Sequence, residues 1–591
     1  MPSERAGRRW AAEALLALVA GSAFLGFLGS TELWGKREQR ASAEALDTVA
    51  HGHWLVAEIQ GRPRLEKPPL PRWIAAALIV ATGRRDEAIV RLPNALAACL
   101  TVALAYALGR GIGGRAVGLA SGFALASSAY FVVEMRQAGN DGLLTLFTAL
   151  ALLAAWKRLQ GGEGGSAGPR GWNLAFALAL GLGFLTKGPV VLVLVAVPVV
   201  GSLATSQRLV EGLRLLADGR GLALFLALAV LWPVPVLVRD PTAARVWWLE
   251  MGQKTGAAGV VHGNARASVV LDWPWMTLPW TPLALLAAAW PLRRSARRGR
   301  PEVGFAWWWA VGNLAVLGTW SVAKPSYYLP CLPGVAVLVG SEWVRLARLA
   351  REWGPGSRAA RGLIQGTWVV AFAAAMVAPA AVGQAAPGDL GWALFGGGLL
   401  AASSVAGAWA WRRGGDAGAL AWPAAGLVAV ALIGYGVVAP LENPARGHRA
   451  LAADLGRIVP ASTPTVYFFD EIDEGLWFYL KGHDLAPLPS PANPARRNRG
   501  FDLRAAAEAR AVHSPADRVA QARDRLADWA RHADPARPYV LIRAKLYDRP
   551  GFARDLGPLV EPVHREPGVK RNEMVLLRAR TPAEVASVRR E

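Results

Sequence analysis

Runs of about 20 apolar residues, the length a bilayer-spanning helix requires, recur from near the start of the chain to about residue 440. The first runs from Ala11 to Leu33. Later runs cover approximately 88–109, 116–133, 142–156, 172–186, 189–204, 221–238, 273–292, 304–322, 326–343, 364–383, 390–411 and 419–440. Some are shorter than about 17 residues and need tilt or flanking residues to complete a crossing. The pattern predicts a polytopic α-helical membrane protein with about 13 transmembrane helices. One polar stretch interrupts the pattern early, from Gly35 to Arg72. Within it, Ala41–Val49 has helical spacing, and Pro68-Pro69 breaks any helix after Lys67. Ala75–Thr82 is apolar but too short to span, and is expected to lie along the membrane surface.

From Glu442 the pattern changes to that of a soluble domain. Arg449–Ile458 reads as an amphipathic helix, Thr465–Phe469 as a buried strand, Gly475–Leu480 as a short helix and Asp517–His532 as a longer one. Tyr539–Ile542 and Met574–Leu577 read as further strands, and Pro487–Arg499 as a loop. The expected division is a transmembrane domain over 1–441, which includes the juxtamembrane loop 35–72, and a small C-terminal α/β domain over 442–591.

Charge orients the spans. With the N-terminus in the cytoplasm, every cytoplasmic loop is rich in arginine, as in Arg293, Arg294, Arg297, Arg298 and Arg300. An odd span count then places the C-terminal domain outside. The net charge of +22 is explained by this positive-inside pattern, which argues against nucleic acid as a partner. Arg5, Arg8 and Arg9 precede the first apolar run as in a signal peptide, but the run is long and lacks a small-residue cleavage site, so a retained first span is expected. The two cysteines, Cys99 and Cys331, lie in apolar segments and support neither a disulfide framework nor a thiolate metal site.

The conspicuous polar residues gather in the loops assigned to the outside. They are Glu38 and Arg40; Glu66 and Lys67; Arg136, Asn140 and Asp141; Thr186 and Lys187; His262, Asn264 and Arg266; and Lys324, Tyr327 and Tyr328. Ionisable groups at span ends commonly snorkel to headgroups, which is the plain alternative for each one alone. Six groups on one face point instead to a site. No Asp-x-Asp motif stands in a cytoplasmic loop, which argues against a nucleotide-sugar donor with a dedicated metal site.

Several of these residues sit in phrases that resemble a known family. Glu38-x-Arg40, Gly52-His53-Trp54 and Leu65-Glu66-Lys67-Pro68-Pro69-Leu70 are followed in order by Arg91-Leu92-Pro93-Asn94-Ala95 and Thr186-Lys187-Gly188-Pro189. Leu278-Pro279-Trp280 and Lys324-Pro-Ser-Tyr327-Tyr328 complete the set. The ordered set, over about residues 10–345, resembles the bacterial GT-C glycosyltransferases related to aminoarabinose transferase and protein O-mannosyltransferase.

The resemblance implies a cytoplasmic-membrane enzyme that moves a sugar from a polyprenyl-phosphate carrier to a lipid A, protein or polysaccharide acceptor on the outer face. It implies Glu38 as general base, with Asp141 as the alternative base or its orienter. Lys67 would grip the carrier phosphate, with Lys187, Arg266, Tyr327 and Arg40 as further donor-binding residues. Glu66 and His262 resemble a pair that can hold one divalent metal ion. Two features depart from the family phrase: Arg37 precedes Glu38 where relatives carry an acid or threonine, and Ala41 stands for a tyrosine. They leave open an inactive, carrier-binding relative. A transporter or flippase is the rival from another class; it would place charges near the bilayer midplane in repeated halves.

Overall fold

The computed structural model describes residues 2–59, 62–160, 169–255, 268–292, 302–321, 323–352, 356–367, 369, 390–469, 474–488, 515–549, 551–566 and 573–588. The chain divides into two compact units. One comprises Met1–Ser30 with Glu66–Ala439, the other Thr31–Leu65 with Pro440–Glu591.

The first unit is helical. Its leading elements are α1 (Pro2–Leu25), α3 (Leu70–Thr82), α4 (Glu87–Gly113), α5 (Arg115–Ala126), α6 (Ala129–Met135), α7 (Asn140–Leu159), α8 (Gly171–Lys187) and α9 (Val190–Thr205); α2 belongs to the second unit. Among the described residues, six helices are long and apolar enough to cross a membrane, or up to seven if a bent pair counts as one. That pair is α5 and α6, which meet at 62°. The predicted run 364–383 lies mostly outside the described residues.

Local chemistry sets the helix ends. Asp86 caps α4 by accepting a hydrogen bond from the Ile89 N–H at 3.1 Å. Gly83 closes α3 at φ +65°, a conformation only glycine adopts cheaply. Packing is close where small residues meet. A Cβ added at Gly340, on the helix Leu332–Arg351, would lie 2.5 Å from Ser121 Oγ and 2.7 Å from the Ser121 backbone nitrogen on α5. Glycine there lets two backbones approach, as in membrane helix pairs generally. α7 and Leu332–Arg351 are largely buried within the unit. By contrast Leu222, Leu226, Val238, Leu271, Leu394 and Val405 are exposed, an apolar exterior suited to lipid.

Two polar residues grouped with the outside loops are structural. Tyr328 is fully buried; its hydroxyl accepts from Trp273 Nε1 at 2.9 Å and donates to the Ala310 carbonyl at 2.8 Å. Each such buried group left unmet would cost about 1–3 kcal/mol. Arg136 is buried, and its guanidinium donates to the carbonyls of Ala23, Gly26 and Phe27 at 2.7, 2.7 and 3.2 Å. Ala23 lies in the last turn of α1, whose carbonyls the helix itself leaves unsatisfied. Its charge also lies 4.0 Å from the centre of the Tyr435 ring.

The second unit contains α2 (Lys36–His51), a two-stranded hairpin of β1 (Glu58–Ile59) and β2 (Arg62–Pro63), and a five-stranded sheet. The sheet order is β4 (Asp484–Pro487), β3 (Thr465–Phe468), β5 (Tyr539–Arg543), β7 (Met574–Ala579), β6 (Val560–Arg565). β3 runs parallel to both β4 and β5, while β7 is antiparallel to β5 and β6. Alternate residues of the inner strands enter separate cores. Val540, Ile542, Val575 and Leu577 pack with Leu526 and Trp529 of the helix Pro515–Arg531. Tyr539, Leu541, Met574 and Leu576 pack with Leu451 and Leu455 of the helix Arg449–Ile458. A sheet covered on both faces reads as a continuous apolar run, which is how β5 and β7 look in sequence. Both edge strands contain proline, Pro487 in β4 and Pro562 in β6, and β6 has an irregular register between Pro562 and His564. Arg578 of β7 grips Glu561 at 2.6 Å and Glu584 at 2.9 Å. The Arg578 hydrogen bond, with those from Thr581, holds the Glu584 carboxyl down to about 2.

The juxtamembrane loop, expected to belong with the transmembrane domain, divides. Thr31–Leu65 groups with the C-terminal residues, for a local reason. The Glu32 N–H donates to Asn443 Oδ1 at 2.9 Å, the Leu33 N–H to the Tyr479 hydroxyl at 2.8 Å, and the Arg449 N–H to Glu32 Oε2 at 2.9 Å. Partners more than 400 residues away are invisible to local composition.

Candidate active site

In the helical unit the loop between α6 and α7 is built around Asn94. Its side-chain amide donates to the carbonyls of Gln137 and Gly139 at 2.7 and 3.0 Å. This anchor, from the Arg91–Ala95 phrase, fixes the start of α7. Asp141 stands in the first turn of α7, where the helix dipole favours a carboxylate. Lys187 stands in the last turn of α8, where the dipole favours a cation. The two form an ion pair, Lys187 Nζ donating to Asp141 Oδ1, and both side chains are mostly shielded from solvent. Asn140 Nδ2 donates to the Thr186 carbonyl at 3.2 Å, tying the same two helix ends together. Lys187 Nζ also lies 4.4 Å from the centre of the Tyr327 ring, within cation–π range. Three residues separated by up to 186 positions in sequence, Asp141, Lys187 and Tyr327, thus form one cluster.

Lys67 precedes the Pro-Pro break and is half-buried. It pairs with Glu250, on the helix Ala243–Thr255. Glu250 carries no motif, and the sequence reading missed it. Glu66 is likewise half-buried. Arg266 and His262 lie outside the described residues, so the expected Glu66–His262 pair and the place of Arg266 are not described.

In the second unit Glu38 occupies the first turn of α2 and is 3% exposed. Arg40, two residues further on, donates from Nε to Glu474 Oε1 at 3.0 Å. Asp47, His51 and His53 converge at the far end of α2 and the turn that follows. In sequence they show an i, i+4, i+6 spacing across a glycine, and His53 also falls in the Gly52-His53-Trp54 phrase.

A family model described as dolichyl-phosphate-mannose-protein mannosyltransferase matches residues 66–236, the stretch that opens on Glu66-Lys67 and includes Asp141 and Lys187. An undecaprenyl phosphate-alpha-4-amino-4-deoxy-L-arabinose arabinosyl transferase of Pseudomonas savastanoi pv. phaseolicola is 28% identical over 340 residues, 56% of this chain and 61% of that protein. A namesake from Pseudomonas fluorescens is 29% identical over 352 residues, 58% of this chain and 61% of that protein. Among solved structures, ArnT from Cupriavidus metallidurans bound to undecaprenyl phosphate matches with a TM-score of 0.75 at 20% identity, covering 95% of this chain and 97% of that one. The chain resembles the ArnT and protein-mannosyltransferase type of glycosyltransferase in sequence over part of its length, and it shares the ArnT fold. The ArnT-type fold extends over nearly the whole chain, although the sequence match spans about three-fifths of the length of the Pseudomonas relatives. Within that ArnT-type fold Lys187 is paired with Asp141, and the lysine of the Glu-Lys-Pro-Pro phrase is paired with Glu250.

Proposed function

We propose that this chain is a membrane glycosyltransferase that moves a sugar from an undecaprenyl-phosphate-type carrier to an acceptor on the outer face of the cytoplasmic membrane. The reading is carried by one coincidence. The stretch matched by the mannosyltransferase family model contains Lys67, Asp141 and Lys187, and the fold draws the last two into a single shielded pair with Tyr327 beside it. A lipid-linked sugar phosphate presents an anionic leaving group at the membrane surface. Lys67 is suited to hold that group, and its present partner Glu250 is a carboxylate that a phosphate would replace. Lys187 holds Asp141 in one orientation, and Tyr327 limits where the ammonium can move. Glu38 is the proposed general base for the acceptor hydroxyl, with Asp141 the alternative. Arg266 and Arg40 complete the proposed donor-binding set, Arg40 after release from Glu474. The Pseudomonas relatives bear the name of aminoarabinosyl transfer, so aminoarabinose with lipid A is the first donor and acceptor to test.

The deciding experiment reconstitutes the full-length protein with undecaprenyl-phosphate-linked aminoarabinose and lipid A, and reads the product by mass spectrometry. Lipid A heavier by one aminoarabinose is expected. The envelope glycolipids and glycoproteins of cells with and without the gene are compared in parallel. If neither experiment finds a glycosylated product that depends on this protein, the reading fails.

About 13 spans, an inside N-terminus and an outside C-terminal domain complete the proposal. A periplasmic-type reporter fused after Glu591 is expected to be active. Activity confined to a cytoplasmic-type reporter at that position would overturn this topology.

A further inference from the structure

Asp47, His51 and His53 place a carboxylate oxygen and two imidazole nitrogens within 4.8 Å of one another. His51 Nδ1 lies 2.9 Å from Asp47 Oδ1, and His53 Nδ1 lies 3.1 and 3.0 Å from its two oxygens. We infer that this group is a binding site for one divalent transition-metal ion of the zinc class.

The donor set decides the class. Two imidazoles and a carboxylate suit zinc, cobalt or nickel, whereas magnesium and calcium take oxygen ligands. Three protein ligands with the fourth position left to water is a common zinc arrangement. A tetrahedral zinc ion with bonds of about 2.0–2.1 Å separates its ligand atoms by roughly 3.3 Å. The two carboxylate–imidazole separations therefore need to widen by only a few tenths of an ångström, and the imidazole nitrogens already lie within 4.8 Å of each other. Space for water is present: the side chains of His51 and His53 are 39% and 31% exposed, while Asp47 is buried.

The surroundings are those of ligands held in place. The Glu58 N–H donates to Asp47 Oδ2 at 2.7 Å and fixes the carboxylate. The His51 ring stacks on Trp477 at 5.7 Å between centres and 12° between planes. Its other nitrogen, Nε2, lies 3.7 Å from the Asp484 carboxylate. A metal-bound histidine commonly directs its second ring nitrogen at such a carboxylate, which fixes the tautomer and strengthens the bond to the metal. The backbone contributes as well. α2 ends at His51, where the helix dipole favours a cation. Gly52, at φ +71°, turns the chain so that His53 comes back over Asp47. An ion held there would tie the end of α2 to the segment leading into the β1–β2 hairpin.

The site is separate from Glu66 and His262 and does not depend on glycosyl transfer. The test uses the full-length protein in detergent, stripped with a chelator and titrated with zinc chloride or cobalt chloride alone. Wild-type protein is expected to take up about one ion per chain at this three-ligand site, measured by elemental mass spectrometry, and to give the visible cobalt bands of a nitrogen–oxygen site. His51→Gln and His53→Gln, both at partly exposed positions, are expected to lose the ion while keeping the wild-type elution volume. Asp484→Asn, which touches no ligand atom of the ion, is expected to weaken zinc binding by about 10-fold or more. Wild-type protein that binds no zinc, or both histidine variants binding as wild type does, would overturn the site.

Discussion

Lys67→Ala is expected to lower kcat/KM for the polyprenyl-phosphate donor by about 10²–10³-fold, the loss typical of removing one preorganised group that stabilises developing charge. Lys67 is held beside the Pro-Pro break and paired with Glu250, so its ammonium is positioned before any donor arrives. The phosphate leaving group gains negative charge as the sugar departs, and a fixed cation stabilises it more in the transition state than in the ground state. The loss should therefore fall on kcat as well as on KM. Truncating Lys67 also leaves Glu250 without that partner, which could weaken the fold by itself. Glu250→Gln separates the two effects: it keeps Lys67 and removes the competing charge, and should change kcat/KM by less than 10-fold, a loose bound for a pair that donor binding must open. Wild-type kinetics in Lys67→Ala would remove the phosphate role.

Glu38→Gln is expected to reduce sugar transfer by about 10²–10⁴-fold, the contribution usual for a positioned general base. The substitution keeps the shape of a side chain that is 3% exposed and removes only its ability to take a proton. Donor affinity, measured separately with the carrier phosphate, should stay near wild type. Asp141→Asn is the comparison that assigns the base. If Asp141 orients rather than accepts a proton, its loss should be smaller and should be matched by Lys187→Ala, because the two residues form one ion pair. Full activity in Glu38→Gln with none in Asp141→Asn would transfer the role to Asp141.

The apolar runs made most of the helical unit legible, because a membrane helix announces itself by length and composition alone. α4, expected over 88–109, occupies Glu87–Gly113, and the helix expected over 390–411 occupies Leu390–Arg412. The bend between α5 and α6 was not legible, since both halves are apolar and the sequence shows a single run. In the second unit the helix Arg449–Ile458 and the strands β3, β5 and β7 lie where the pattern placed them. The strands β4 and β6 did not register, because Asp484–Pro487 and Val560–Arg565 contain proline and lack the continuous apolar run of β5 and β7.

Of the site, the residues within motifs were readable and their partners were not. Lys187 could be named from Thr186-Lys187-Gly188-Pro189, but nothing local says that it grips Asp141. Glu250 sits in the helix Ala243–Thr255 with no motif around it, 183 residues from the lysine it meets. Tyr328 and Arg136 looked like site residues because they are polar beside apolar runs. They serve instead to satisfy buried backbone and indole groups, a demand that appears only once helices are packed together.

The prolines of β4 and β6 bear on how crowded molecules would behave. An exposed sheet edge is a template on which another chain can add a strand. Both outer strands of this sheet carry a residue that lacks an N–H, and β6 also loses regular spacing at Pro562. A second copy drifting alongside would find an interrupted ladder at either end. Many copies confined to one membrane plane could then sit shoulder to shoulder without their sheets fusing into a continuous array.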